Sequence, residues 1–241
     1  DLRTAIERGD YPAGGMLPTV RALREKYGAT NDTVKSAFQV LQREGLIETG
    51  QGRRTRVVAQ RQVIHKSASY LPSSASVMYA GGATWKQTLA ASGMAGTQVL
   101  GRVGEVPAPH AVAEALCLEP GTPVVNRPRV MLADGVPVET ADSYYLREVA
   151  SGTAIAQQGL VRGGVYPVFA AQGFPLVERE ETITVGPAAP ADQERLGVPA
   201  SAWVIRLTIV HRTHGGRPIS VDVNVLRADR HQLRYTVPVH G

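Results

Sequence analysis

Arg53, Arg54 and Arg56 follow directly on Gly50-Gln51-Gly52 in the stretch "GQGRRTR". Guanidinium groups beside glycines suit contact with phosphate: the bare backbone can come close while the cations neutralise charge. A second concentration lies in "NRPRV", where Arg127 and Arg129 alternate. On a strand both project from one face and could clamp a carboxylate or phosphate. Plain surface charge on an exposed strand is the competing reading. Other chemistries find no matching pattern. His110, His211, His214, His231 and His240 show no H-E-x-x-H spacing, and there is no G-x-S-x-G elbow and no phosphate loop. Nothing in the sequence pairs the carboxylates for acid–base work, so the pattern points to binding and not to catalysis, and calls for no cofactor or metal. The single cysteine, Cys117, rules out an internal disulfide and a four-thiolate zinc site. Between Leu116 and Leu118 at a helix end, it is expected to be a buried structural thiol.

The elements that must position these groups can be read from periodicity. Leu2, Ala5 and Ile6 have helical spacing, broken at Gly9 after barely two turns, which suggests a helix beginning upstream of residue 1. Pro18 or Thr19 starts a second helix with Val20, Leu23 and Tyr27 on one face and Gly28 as its terminator. Thr30 is placed to cap a third helix by accepting from the backbone N–H of Asp32 or Thr33. That helix should bury Val34, Ala37, Phe38 and Leu41 and stop at Gly45. Two helices separated by two or three residues form a helix-turn-helix, whose second helix can lie in the major groove of DNA. "LIETGQGRRTRVV" then changes to an extended pattern: Leu46 and Ile47 begin a strand, Gly50-Gln51-Gly52 makes a hairpin tip, and Thr55 to Val58 return. A two-stranded wing bearing Gln51, Arg53 and Arg54 can reach the DNA backbone or the adjacent minor groove.

Residues 6–58 resemble the winged-helix domain of GntR-type bacterial transcription regulators, on the strength of "GDYPAGGMLPTVRALREKYGATNDTVKSAFQVLQREGLIETGQGR". The resemblance implies DNA contacts by Arg21, by Thr30, Asn31, Thr33 and Lys35 around the recognition helix, and by Gln51 and Gly52 in the wing. Members of that family often carry Arg where this chain has Asn31 and Lys35. Asn favours adenine and Arg favours guanine, so the half-site is expected to differ from the common one. For Thr33, capping or core support competes with phosphate contact, and Arg24 and Arg43 read as solvated helix faces.

From Ala59 to about Gly82 the chain is rich in Ser, Ala and Gly and reads as a linker with one short strand, in which His65 and Lys66 belong to a hinge. "TWKQTLAASGM" predicts a helix over Thr84 to Met94 with Trp85 and Leu89 on one face, ended by Gly93. Beyond it lies an internal repeat spaced by about 80 residues. Each copy has a Pro/Ala-started helix, a leucine (Leu116, Leu196), a β-rich strand, a turn (Asp134-Gly135, Gly215-Gly216) and a Pro-initiated strand. Two helix–hairpin units imply an α+β domain built on an antiparallel sheet with a crevice between pseudo-symmetric halves.

This second part, Trp85 to Val237, resembles the UTRA effector-binding domain of the HutC subfamily, whose fold is similar to that of chorismate lyase; the G-x-P-V/I strands and the closing "VLRADR" carry the match. The resemblance implies a crevice that binds a small molecule without turning it over, with Glu139 a ligand-facing acid and Tyr166 at a helix start. The family's serine before that tyrosine is Gly164 here, its second-copy acid is Ser220, and its second tyrosine is Leu226. Those changes argue against a sugar phosphate and for a less polar effector; Asp222 is a further pocket candidate.

The whole is expected to be a ligand-responsive DNA-binding transcriptional regulator, a repressor released from its operator by a small-molecule effector, organised as a DNA-binding domain over 1–60, a linker over 61–82 and an effector-binding domain over 83–241. Its expected partners are a palindromic double-stranded operator, a small-molecule effector and a second copy of itself. An enzyme with a DNA tether and an effector-independent DNA binder are the alternatives. Charge agrees with the division: residues 1–60 hold 10 Lys+Arg against 7 Asp+Glu, the remaining residues 16 against 14. No apolar run approaches the length needed to span a bilayer and no signal-peptide pattern opens the chain, so a cytoplasmic protein is expected, with no membrane partner.

Overall fold

The computed structural model describes residues 1–12, 14–43, 45–49, 54–58, 63–66, 82–90 and 92–235, and the chain divides into two compact units, Asp1–Arg61 and Gln62–Gly241. In the first unit α1 (Leu2–Glu7) is followed by α2 (Val20–Tyr27) and α3 (Asn31–Arg43). Thr19 caps α2, its side chain accepting from Ala22 N, and Gly28 ends the helix at φ 61°, a left-handed conformation in which a Cβ would be strained. The Thr30 hydroxyl then caps α3 by accepting from Thr33 N at 3.2 Å. Val34 and Leu41 turn inward, whereas Ala37 and Phe38 on the flanks of that stripe are only partly buried. Leu41 packs with Ile6, Leu17, Leu46, Ile47 and Val57 into one core. Strands β1 (Ile47–Glu48) and β2 (Arg56–Val57) pair antiparallel, and Met16 bridges to Arg56 on the other side.

In the second unit β3 (Val63–Lys66) precedes α4 (Gly82–Ala90). This helix starts two residues earlier than the predicted Thr84 and ends before Gly93, which takes φ 68° in the turn that follows. Next come β4 (Gly96–Leu100), β5 (Gly104–Pro107), α5 (His110–Ala115), β6 (Pro123–Ala133), β7 (Val136–Leu146), α6 (Arg147–Ala150), α7 (Tyr166–Ala171), β8 (Glu178–Pro187), α8 (Pro190–Leu196), β9 (Trp203–Arg212), β10 (Pro218–Arg227) and β11 (His231–Arg234). The main sheet is antiparallel in the order β4-β6-β7-β10-β9-β8, with β5 also on the outer edge of β6, and β11 pairs parallel with β3 beside it.

The repeat explains this order. β5-β6-β7 and β8-β9-β10 are two equivalent hairpin units that meet through their last strands. β7 and β10 pair so that Glu139 faces Leu226, Ser143 faces Asp222, Tyr145 faces Ser220 and Asp142 faces Val223. Exchanging the two copies maps the first of these pairs onto the third and Asp142–Val223 onto itself. The first hairpin turns at Asp134 and Gly135, φ 50° and 79°, as the two-residue turn that matches strand twist requires.

The helix ends also correspond, and here Cys117 departs from expectation: it is exposed, not buried. Leu118 N bonds back to Ala113 O and Val198 N to Gln193 O, the same helix-ending loop in both copies. That loop turns Leu116 inward and swings the next residue outward at positive φ, 55° for Cys117 and 63° for Gly197.

Candidate nucleic-acid interface and ligand cavity

On the first unit the exposed residues of α3 are Asn31, Asp32, Thr33, Lys35, Ser36, Gln39, Val40, Gln42 and Arg43, opposite the buried Val34 and Leu41. The helix therefore offers Asn31 and Lys35, one turn apart, from its open side. Asn31 Oδ1 accepts a long contact from Arg24 Nη1 at 3.4 Å. Thr30 and Thr33 hydroxyls lie 2.8 Å apart, so both serve the helix start while staying exposed. Arg21 is open to solvent and ion-paired with Glu25, one turn along α2. In the wing, Arg56 is engaged across the ribbon by Glu48, at 2.8 Å from Nε, whereas Arg54 is exposed. Gln51, Gly52 and Arg53 lie outside the described residues.

On the second unit, a cavity of about 110 Å³ opens over the sheet, lined among others by Ile64 of β3, Trp85 of α4, Arg129, Glu139, Tyr166, His211 and Asp222. Pairing register explains the convergence. Arg129, Ala141 and Asn224 form one row across β6, β7 and β10; Arg127, Ser143 and Asp222 form the next. Ala141, the smallest side chain of the first row, leaves space above the sheet. A smaller neighbouring cavity of about 60 Å³ shares Gln98, Arg129, Tyr166 and Asp222 and continues between the sheet and the segment 159–166.

The two arginines separate sharply. Arg127 is buried and donates to the carbonyls of Ile155 and Gln157 at 2.7 Å and of Gly159 at 2.5 Å. It organises the loop that borders the smaller cavity, and burial lowers its pKa. Arg129 donates from Nη2 to Ser143 Oγ at 2.7 Å, while its buried Nε has no partner among the described residues. Gln98 Oε1, also at the cavity, is likewise buried without a partner.

Glu139 is buried and lies 3.6 Å from His231 Nε2, whose other ring nitrogen meets the Arg227 carbonyl. Ser220, although on the sheet face, is buried beneath the cavity and holds His211 Nδ1 at 3.1 Å. Asp222 Oδ2 approaches the same nitrogen at 3.8 Å, and the Tyr166 hydroxyl takes Nε2 at 3.1 Å. Burial lowers the His211 pKa, more than Asp222 raises it, and keeps the ring neutral; burial pushes Tyr166 up. With a proton on Nδ1, the ring donates towards Ser220 and Asp222 and accepts from Tyr166. This is a positioning network and no nucleophile relay, because Ser220 and Asp222 share one nitrogen.

His211 was the residue that sequence reasoning missed at this site. Its one signal was placement at the pocket end of an alternating strand, on the same face as Ile209. Trp85 and Ile64 belong to the lining too, brought in by α4 and by β3, the short strand of the predicted linker.

Comparison with known proteins gives the site its context. Residues 1–57 match the model described as bacterial regulatory proteins, gntR family, and residues 91–232 match the UTRA domain. The chain belongs to the GntR family. It is a transcriptional regulator with a DNA-binding helix-turn-helix domain and a UTRA domain, the combination of the HutC subfamily. It is 34% identical to the HTH-type transcriptional regulator RB1450 of Rhizobium meliloti (strain 1021), over 97% of this chain and 90% of that one. It is 27% identical to the regulator SCO4628 of Streptomyces coelicolor, over 97% and 88%. Among solved structures, a GntR-family transcriptional regulator at 26% identity gives a TM-score of 0.61, covering 100% of this chain and 95% of that one. PhnF from Mycobacterium smegmatis shares the fold at 18% identity and a TM-score of 0.61, over 99% and 98%. No helix among the described residues is long and apolar enough to cross a membrane.

Proposed function

We propose that this GntR regulator is a cytoplasmic repressor that binds a palindromic operator as a homodimer and is released when a small molecule enters the cavity of its UTRA domain. The observation that carries the reading is the cavity itself, where Gln98 Oε1 and Arg129 Nε are buried without partners among the described residues. Unmatched buried polar groups are costly, and a ligand that pairs them recovers that cost. Arg129, Glu139, Tyr166 and Asp222 are the effector contacts in this reading, with Arg127 and Ser220 supporting them from below.

Asn31 and Lys35 read bases, and Arg21, Thr30, Thr33 and Arg54 meet phosphates, joined by Gln51, Gly52 and Arg53 at the wing tip. Dimerisation is supported by β8, a ten-residue strand at the sheet edge. Val185 on it and Trp203 on β9 are largely exposed, and a second copy would cover them. Effector binding acts through β3: Val63 and Ile64 line the cavity, and the chain from β3 leads back into the DNA-binding unit. A ligand that prefers the β3 arrangement unsuited to the operator weakens DNA affinity, and DNA weakens ligand binding by the same factor.

The test is footprinting on the promoter nearest the gene, repeated with fractionated small metabolites. Wild type should lose protection in one fraction, while Glu139→Gln keeps the footprint and ignores the fraction. A footprint indifferent to every fraction rejects effector control.

A further inference from the structure

Resting on the cavity being the effector site, we infer that its ligand is a small zwitterion, with an anionic group for Arg129 and an ammonium group for Asp222. Arg129 presents an unpartnered Nε, and its Nη2 is held by Ser143, which sits directly across from Asp222 in the β7–β10 register. A cation and an anion thus flank the same floor without forming an ion pair to each other. Among the described residues, the basic side chain within 4 Å of Asp222 is His211, at 3.8 Å, and that ring is held between Ser220 and Tyr166. No arginine or lysine among them forms an ion pair with the Asp222 carboxylate, which faces the cavity.

The rest of the lining favours a donor-bearing ligand. Arg179 is paired with Glu181 at 2.6 Å, so it adds no net charge. Glu139 adds a second carboxylate, and Gln98 Oε1 presents an unmatched acceptor. When Tyr166 donates to His211, its oxygen lone pairs remain for the ligand. Arg129 is therefore outnumbered by acceptors, whereas a doubly charged phosphate would have to sit near two carboxylates. An ammonium group answers the acceptors, and a single carboxylate answers Arg129.

The test uses the full chain carrying Trp203→Phe, so that Trp85 at the cavity alone reports by fluorescence. γ-Aminobutyrate and L-norvaline are titrated against butyrate, n-butylammonium and inorganic phosphate. The zwitterions should perturb Trp85 saturably and bind at least tenfold tighter than either single-charge analogue. Asp222→Asn should remove that preference while operator affinity, the control for folding, stays unchanged. Butyrate or phosphate binding as tightly as the zwitterions, with Asp222→Asn harmless, overturns the ligand class but leaves the effector site standing. No response to any probe also overturns it, and the metabolite-fraction footprint then decides separately whether effector control survives.

Discussion

Asp142 on β7 stands directly opposite Val223 on β10, and the pseudo-twofold relating the two halves of the UTRA sheet passes between them. On the far side from the cavity, Arg195 of α8 grips Asp142 with two bonds of 2.6 and 2.7 Å. The helix of the second copy is thereby fastened to the last strand of the first. Arg195→Met should cost about 1–3 kcal/mol, discounted from the cost of breaking a fully buried pair because both side chains keep some exposure. Urea unfolding measures it, and Asp142→Asn in the same chain should restore much of the loss. An Arg195→Met protein as stable as wild type would remove the fastening role.

Cys117 occupies a left-handed position that its counterpart fills with Gly197. Cys117→Gly should therefore stabilise the domain by about 0.5–1 kcal/mol, and Gly197→Ala should destabilise it by a similar amount. Paired thermal unfolding curves check both, and equal shifts of the same sign would contradict the account.

Arg127 and Arg129 are two residues apart on one strand but have different tasks. Arg127→Met strips the donors from three loop carbonyls and should lower the unfolding midpoint, at about 2–4 kcal/mol for a buried network. Arg129→Met should leave stability within about 1 kcal/mol of wild type while abolishing the response to an anionic effector group. If the two variants lose stability equally, the division of labour is wrong.

For DNA, Asn31→Ala and Lys35→Ala should each cost about 1–3 kcal/mol at the operator and change base preference. Arg54→Ala should weaken binding to all sequences and reduce the salt slope by about 1, the signature of one phosphate contact. A full slope after the change would take Arg54 off the backbone. Thr30→Ala should cost about 1 kcal/mol of stability in the first unit through its cap.

Buried His211 has a pKa below its ordinary 6.5. The unfolded chain therefore takes up a proton where the folded chain does not. The stability due to the neutral ring is complete above about pH 6.5 and falls with pH below it, by at most about 1.4 kcal/mol per unit, until the folded pKa is reached. Unfolding at about pH 7 and about pH 5.5 should show a smaller difference in His211→Gln than in wild type. An identical difference would mean that folding leaves the pKa of the ring unchanged.

Short-range signals were legible without coordinates. Thr30 as a cap, Gly28 as a terminator, the helix-turn-helix and the hairpins of the repeat all depend on neighbours in the chain, where residue type constrains φ, ψ and periodicity directly. The α+β class followed from the repeat in the same way. The candidate site was legible in part: alternation put Arg127 and Arg129 on one face, because strand side chains have period two, and the family resemblance supplied Glu139, with Asp222 as a further candidate. What the tertiary structure decided was how those residues are used. Arg127 turned to a loop 27 to 32 residues away, Ser220 went under His211, and Cys117 was swung outward by its helix-ending loop. Ile64 and Trp85 reached the cavity from segments with no local sign of it. Such outcomes depend on which groups from distant strands meet and leave one another unsatisfied, and that is a property of pairing register across the sheet, which no single stretch of sequence contains.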